Sequence, residues 1–291
     1  MNLEQTRKLL SEGVLPSPAP TQDVEALRVR LQALKLRFAA EALGDFLNDA
    51  VKENWSPAAF LDALLRRELE RQEERRIAQA LRNSRLPIGP TLSNFDFAFQ
   101  PAVSRSRIET LATCQWIADR HGLLIMGQPG VGKSHLAKSL GVRAVESGFS
   151  VSYYRIDELL HQLKKDADLS PARLKYKKYM ATSLLIIDEM GFDPFTRDEA
   201  SWFFRVVSHR YQRGSICITT NKGIADWPEL FAGDEALAGA ILDRLLHSAH
   251  VLSINGRSYR LKELDEELQR RNGSSPPSPP RESLPEEEPP A

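Results

Sequence analysis

The sequence predicts an α/β protein: a five-stranded parallel sheet between helices, preceded by a small all-α domain. Three observations carry this. Between residues 104 and 262, short apolar runs alternate with helical segments, the pattern of a parallel sheet covered on both faces. A glycine-rich turn, Gly127 to Ser134, joins one of those runs to a helical segment. From Val24 to about Arg85, apolar residues recur at three- and four-residue steps, the spacing of amphipathic helices.

Taken in order, residues 1–22 contain Pro16, Pro18 and Pro20 and are expected to form a flexible lead-in. Residues 23–86 form the helical domain, expected to make oligomer or partner contacts. Leu27, Leu31, Leu34 and Phe38 recur there at three- and four-residue steps, and so do Leu43, Phe46 and Leu47. Ser56-Pro57 opens a further helix, with Ser as N-cap and Pro at the first helical position. That helix carries Phe60, Leu61, Leu64, Leu65 and Leu69, then a charged continuation from Arg66 to Arg85. Pro87, Gly89 and Pro90 break the pattern and start a linker over 87–103, whose alternating Phe95, Phe97 and Phe99 are expected to pack on the next domain. The sheet domain follows over 104–266. Its expected strands are Leu123–Met126, Val151–Tyr154, Leu184–Asp188, Ile216–Thr219 and Val251–Ile254. Residues 267–291, rich in Ser, Pro and Glu, are expected to be disordered.

Bulk properties exclude several classes. A chain of 291 residues holds one sizeable core and a smaller accessory domain. Lys+Arg and Asp+Glu both total 39, so any affinity for nucleic acid must come from local clusters. No apolar stretch approaches the roughly 20 residues that span a bilayer, and the N-terminus lacks a signal-peptide pattern. Only Cys114 and Cys217 are present, which argues against a disulfide framework or a Cys-rich zinc site. The expected compartment is the cytoplasm.

Gly127, Gln128, Pro129, Gly130, Val131, Gly132, Lys133 and Ser134 spell the complete phosphate-binding pattern G-x-x-x-x-G-K-[ST]. Leu123–Met126 precedes it as a buried strand would, and a helical segment opens with His135. At such a strand-to-helix turn, backbone N–H groups and the helix N-terminus favour a polyphosphate. Lys133 is expected to reach the β- and γ-phosphates of ATP, and the Ser134 hydroxyl to ligate Mg²⁺. Leu184-Leu185-Ile186-Ile187-Asp188-Glu189 brings two carboxylates to the end of an apolar strand, at the sheet edge where open α/β folds bind ligands. Asp188 is expected to hold Mg²⁺, directly or through water, and Glu189 to polarise a water for in-line attack. Asn221 leaves another strand at the same edge, and the favoured reading has it orient that water and sense the γ-phosphate. Arg244 lies between apolar residues in Ile241-Leu242-Asp243-Arg244-Leu245-Leu246. An unpaired buried guanidinium is costly, so it either pairs with Asp243 or another acid, or projects across a subunit boundary.

These motifs, with Ile-Thr-Thr-Asn, Ile-Leu-Asp-Arg-Leu-Leu-His and Gly-Arg-Ser-Tyr-Arg in the same order, resemble the IstB-like ATPases. Those are AAA+ proteins that help insertion sequences transpose and are related to the helicase loader DnaC. The resemblance covers most of residues 24 to 265. It implies an AAA+ P-loop NTPase fold, with phosphate and Mg²⁺ contacts at Lys133 and Ser134 and metal and water-activating roles at Asp188 and Glu189. It implies a first sensor at Asn221 and, at Arg244, a finger completing a neighbouring subunit's site. Past residue 265 the sequence leaves no room for a helical lid, and the second sensor rests between Arg257 and Arg260.

Two basic clusters are candidates for DNA contact. Lys164, Lys165, Arg173, Lys175, Lys177 and Lys178 are interleaved with Tyr176 and Tyr179; they suit sequence-independent phosphate contacts or a solvated helix face. The Arg-rich helix around residues 66 to 85 is balanced by Glu and suits Glu–Arg pairs three or four apart. The resulting expectation is an ATPase that oligomerises on duplex DNA and assists a transposase. A helicase loader like DnaC and an ATP-gated DNA scaffold are its alternatives.

Overall fold

A computed structural model describes residues 23–261. The lead-in expected at 1–22, the tail expected at 267–291 and the lidless end expected past 265 lie outside the described residues. The chain divides into two compact units between Ala78 and Gln79.

The first unit holds α1 (Val24–Ala33), α2 (Arg37–Lys52) and most of α3 (Pro57–Ser84). Asp23 caps α1 by accepting from the backbone of Glu25 and Ala26, and Ser56 Oγ caps α3 by accepting from Ala59 N at 3.2 Å. Leu36 gives α2 no side-chain cap. The buried Glu68 of α3 supplies it, accepting from Ala39 N at 2.8 Å. Ala39, Leu43 and Leu64 form a small core, with Leu27, Leu31, Phe46, Leu47 and Phe60 packed around it. The charged part of α3 carries two of the expected Glu–Arg surface pairs, Arg71–Glu74 and Arg76–Glu73, and Arg66 pairs with Asp62.

The second unit is the α/β domain. After α4 (Arg105–Ala112) and α5 (Gln115–Ala118) come β1 (Gly122–Gly127), α6 (Lys133–Glu146), β2 (Val151–Arg155) and α7 (Ile156–Lys165). Two single turns, α8 (Pro171–Leu174) and α9 (Lys178–Ala181), lead to β3 (Leu184–Met190), α10 (Arg197–Arg210) and β4 (Ser215–Thr220). A short α11 (Trp227–Leu230), then α12 (Glu235–Leu246) and β5 (Ala249–Ile254) complete it. All five expected strands are present. They pair in parallel in the order β2-β3-β4-β1-β5.

Successive β3 residues face opposite sides, as strand geometry requires. Leu185 and Ile187 pack with Leu159, Phe203 and Val207 of α7 and α10, whereas Ile186 faces Gly141 of α6. Both faces are therefore covered, and every β3 residue from Leu184 to Asp188 is fully buried. Because the strands run parallel, the ends of β1, β3 and β4 meet at one edge. The chain leaves β1 for one side of the sheet and later returns on the other, which makes this edge a switch point where ligands bind.

Candidate nucleotide site

Three glycines, Gly127, Gly130 and Gly132, take positive φ along the loop between β1 and α6. At Gly130, with φ +82°, an added Cβ would lie 2.1 Å from Ser258 Oγ. Glycine is therefore required there both by conformation and by space. Lys133 Nζ donates to the carbonyls of Gly127 and Gln128, each at 2.8 Å, which holds the ammonium inside the loop. Burial pulls the Lys133 pKa down, with Asp188 opposing and Arg260 reinforcing that shift.

Asp188 joins the loop to the sheet. Its side chain is buried and has four partners: Ser134 Oγ donates to Oδ1 at 2.7 Å, Thr219 Oγ1 to Oδ1 at 2.5 Å and Tyr153 OH to Oδ2 at 2.6 Å. Lys138 Nζ lies 3.1 Å from Oδ2. Burial alone would favour the neutral acid, but the Thr219 and Tyr153 hydroxyls, the Lys138 charge and Ser134 outweigh it and hold the carboxyl below its ordinary range. Burial, then the same contact with Asp188, pushes the Tyr153 phenol up. A hydroxyl and a carboxylate meeting at one point form a hard oxygen pair suited to Mg²⁺. Since both Asp188 oxygens are already engaged, the arrangement fits Ser134 as the direct ligand and Asp188 acting through water.

Glu189 sits on a β-bulge. The β3–β4 register runs Ile187↔Ile218 and then Met190↔Thr220, so β3 carries one extra residue there. Glu189 takes φ +63°, a left-handed conformation costing about 1–3 kcal/mol for a non-glycine residue, while its N–H donates to Thr219 Oγ1 at 3.0 Å. The bulge separates the two acids: Asp188 points into the buried network, and Glu189 reaches Arg155 at the end of β2, 2.8 Å away. Asn221 follows β4 beside Gly191. Its Oδ1 is buried without a hydrogen-bond partner among the described residues, and an added Cβ on Gly191 would come within 2.6 Å of it. Buried acceptors normally have partners, so this oxygen is free for a small polar group.

A strap from Gly256 to Arg260 covers the loop. Tyr259 N donates to Gly130 O at 2.9 Å and Tyr259 OH to Asp96 O at 2.6 Å. Gln100 Nε2 donates to Arg257 O at 2.5 Å. Phe95 and Phe99 pack on the Tyr259 ring, with centroids 6.1 and 4.5 Å apart, so the phenylalanine linker does dock on this domain. His135 Nε2 lies 2.9 Å from Thr91 O. Between loop and strap lies a cavity of about 420 Å³, lined by Phe95, Lys133, Ser134, His135, Tyr259 and Arg260. Of the two second-sensor candidates, Arg260 is the one that faces it.

Arg244 lies elsewhere. It lines a cavity with the residues that begin β1, β4 and β5, at the sheet edge opposite the phosphate loop. Pairing with Asp243 or another acid was one of two expectations, and it does not occur: among the described residues Arg244 forms no ion pair. Its Nη1 donates to Ala240 O at 2.8 Å, and its guanidinium lies 5.0 Å from the Phe204 ring centre.

The basic cluster divides. Lys177 Nζ bonds the buried Asp166 at 2.7 Å, and Lys178 Nζ donates to Asn83 O at 2.9 Å, so both are tied into the fold. Lys175 lies over the exposed Tyr176 ring. Lys164 and Lys165 end α7, and Arg173 lies in α8. Sequence reasoning missed Tyr153, Lys138, Thr219 and Arg155. Thr219 lies inside a motif already singled out; the others carried no local signal.

A family model described as IstB-like ATP binding protein matches residues 29–267. A Pseudomonas aeruginosa protein, named for ATP binding in insertion sequence IS21, is 40% identical over 237 residues, covering 81% of this chain and 89% of its own. Its counterpart in insertion sequence IS5376 of Geobacillus stearothermophilus is 36% identical over 239 residues, covering 81% and 95%. Among solved structures, the DnaC helicase loader aligns at 19% identity with a TM-score of 0.43, over 52% of this chain and 87% of that one. DnaI aligns at 19% identity with a TM-score of 0.47, over 57% and 90%.

Proposed function

The chain belongs to the family of IstB-like ATP-binding proteins, with an AAA+ P-loop fold, and from that premise we propose that it is an ATPase that assembles on duplex DNA and assists a transposase. One observation carries the catalytic part: Ser134 Oγ meets Asp188 Oδ1 at 2.7 Å, joining the phosphate loop to the two-carboxylate strand. The names of the relatives, which place them in insertion sequences, support the biological part.

On this reading Lys133 balances charge on the β- and γ-phosphates. Ser134, with Asp188 behind it, would hold Mg²⁺, which when bound neutralises phosphate charge. Glu189 takes a proton from the attacking water, and the free Asn221 Oδ1 orients that water. Arg260 senses the nucleotide from the strap side. Arg244, at the far edge of the sheet, acts on the nucleotide of a neighbouring copy. Lys164, Lys165, Arg173 and Lys175 contact DNA phosphates, since Lys177 and Lys178 serve the fold. Among the described residues no helix is long and apolar enough to cross a membrane.

The test is ATP turnover, with and without duplex DNA, by the wild type and by Glu189→Gln, alongside strand transfer by an insertion-sequence transposase. Loss of turnover in the variant with nucleotide binding retained is expected. Transposition at the wild-type rate by a variant that cannot hydrolyse ATP would reduce the protein to a nucleotide-gated scaffold.

A further inference from the structure

The chain as a whole is electrically balanced, yet the cavity at the amino edge of the sheet is not. It measures about 280 Å³ and is lined by Arg120, His121, Arg210, Arg244 and His247, with Asp119 as its one acid. Asp119 already accepts from Gln115 Nε2 at 3.0 Å. The floor is Arg210, 1% exposed, whose two terminal nitrogens donate to the carbonyls of Tyr179, Met180, Thr182, Ser183 and Ser215. Its charge meets only dipoles and is not cancelled. Arg210 Nε is buried without a partner. The positive potential is felt nearby: burial, then the Arg213 and Arg210 charges, hold the His209 pKa down.

The rim is built from three separate chain segments. Arg120 reaches across from the start of β1, its Nη1 donating to Gln212 O at 3.1 Å. His247 follows α12, and its ring packs edge-on against Tyr211, with centroids 5.7 Å apart. Arg244 is partly buried and spends one donor on Ala240 O. Three guanidinium groups gathered around a single carboxylate leave an excess of positive charge that calls for an anion, because like charges brought together and partly desolvated are costly until one arrives. A terminal phosphate suits a concave site of this size. It carries close to two charges and three acceptor oxygens, whereas a DNA phosphodiester carries one charge.

We propose that Arg120 and His247 join Arg244 in a cavity that receives the terminal phosphate of a nucleotide held by a second copy of this chain. The proposal rests on the trans role assigned to Arg244 and extends it from one side chain to a built site. Arg120 and Arg244 supply charge, His247 adds a directional donor, and Arg210 supplies the positive floor.

The experiment compares Arg120→Gln, His247→Gln and Arg244→Ala in the full-length protein. It measures ATP turnover at saturating MgATP, binding of a fluorescent ATP analogue, nucleotide-free binding of a labelled duplex, and melting temperature. Arg120→Gln and His247→Gln should each lower turnover about tenfold or more, the scale of one lost charge-assisted hydrogen bond, while each subunit's own nucleotide affinity stays unchanged. Mixing either variant with Glu189→Gln subunits should restore part of the turnover, because intact sites then meet intact edges.

Wild-type turnover in Arg120→Gln and His247→Gln, with Arg244→Ala inactive, would overturn the cavity and leave Arg244 acting alone. Wild-type turnover in all three would overturn the trans reading as well. Weakened nucleotide-free DNA binding with normal turnover would assign the cavity to DNA and overturn the proposal. Arg120 also bonds Gln212 O, so a lowered melting temperature in Arg120→Gln transfers the decision to His247→Gln, which removes no hydrogen bond seen here.

Discussion

Arg155 Nη2 lies 2.8 Å from Glu189 Oε2, so the acid proposed to activate water is held by a cation from the neighbouring strand. Both side chains are partly exposed, at 53% and 32%, which limits the pair to about 1 kcal/mol. Arg155 also lies 3.4 Å from Asp157, so its charge is shared. Arg155→Ala should therefore raise DNA-independent ATP turnover by no more than about fivefold. Steady-state phosphate release checks this. A fall in turnover would mean that Arg155 orients Glu189 productively and does not restrain it.

Lys133→Ala removes the ammonium that donates to two loop carbonyls and is proposed to meet phosphate. Charge-assisted contacts of this kind contribute about 1.5–3 kcal/mol each, so nucleotide affinity should fall by roughly 10- to 100-fold. Calorimetric titration with ATP measures it. Unchanged affinity would remove Lys133 from the site.

The strands and the two acids were legible in the sequence because their signals are local. Leu184 to Ile187 is an unbroken apolar run, as a strand buried on both faces requires, and Asp188-Glu189 ends it. Ser134 was expected at the same Mg²⁺ site as Asp188, and the structure brings the two together. The other partners of Asp188 were not legible: Tyr153 and Thr219 come from two different strands, and Lys138 occupies a helix position that carries no pattern of its own. Arg244 shows the same limit: a guanidinium between apolar residues signals a problem to be solved, and part of its solution, the Ala240 carbonyl, lies one turn back in α12, but the other part, the Phe204 ring, depends on packing between α10 and α12. The bulge that turns Glu189 away from Asp188 is likewise a property of the β3–β4 register, which neither strand carries by itself.

Asp188 should make stability pH-dependent on the acid side. Its folded pKa lies below the ordinary 3.8, so the unfolded chain binds the proton more readily. The resulting stabilisation is fully present above that ordinary value and is lost as pH falls through the lowered folded one. Asp188→Asn cannot ionise and should flatten this part of the profile, although it also leaves Lys138 without its carboxylate. Urea unfolding across the acid range tests the slope. A profile as steep as that of the wild type would show that other carboxylates govern acid sensitivity.

Gly130→Ala should disable the loop for two separable reasons. The backbone there has φ +82°, and the new Cβ would meet Ser258 Oγ. Trimming the strap with Ser258→Ala eases only the second, since the Cβ of residue 258 stays 3.0 Å away, so the double variant should regain part of the nucleotide affinity but not all of it. Full recovery would show that the loop tolerates a left-handed alanine and that steric contact was the whole effect.

Arg210→Ala should destabilise the α/β unit more than any substitution at the nucleotide site. The side chain is 1% exposed and donates to five carbonyls from three segments, the end of α9, the approach to β3 and the start of β4. Burial pushes its pKa down to about 10, so at neutral pH the guanidinium remains charged and its donors remain full strength. Ser183 O also accepts from Ser215 N, but removing the guanidinium strips a donor from the others in a site closed to most water, at about 1–3 kcal/mol for each left without a partner. A loss of about 3–5 kcal/mol in urea unfolding is expected, the range for stripping a buried charged group from its partners. Arg210→Lys should recover little of it, because an ammonium presents three donors from a single point and cannot span carbonyls on three segments. If Arg210→Lys were as stable as the wild type, the five contacts would be incidental to a requirement for positive charge alone.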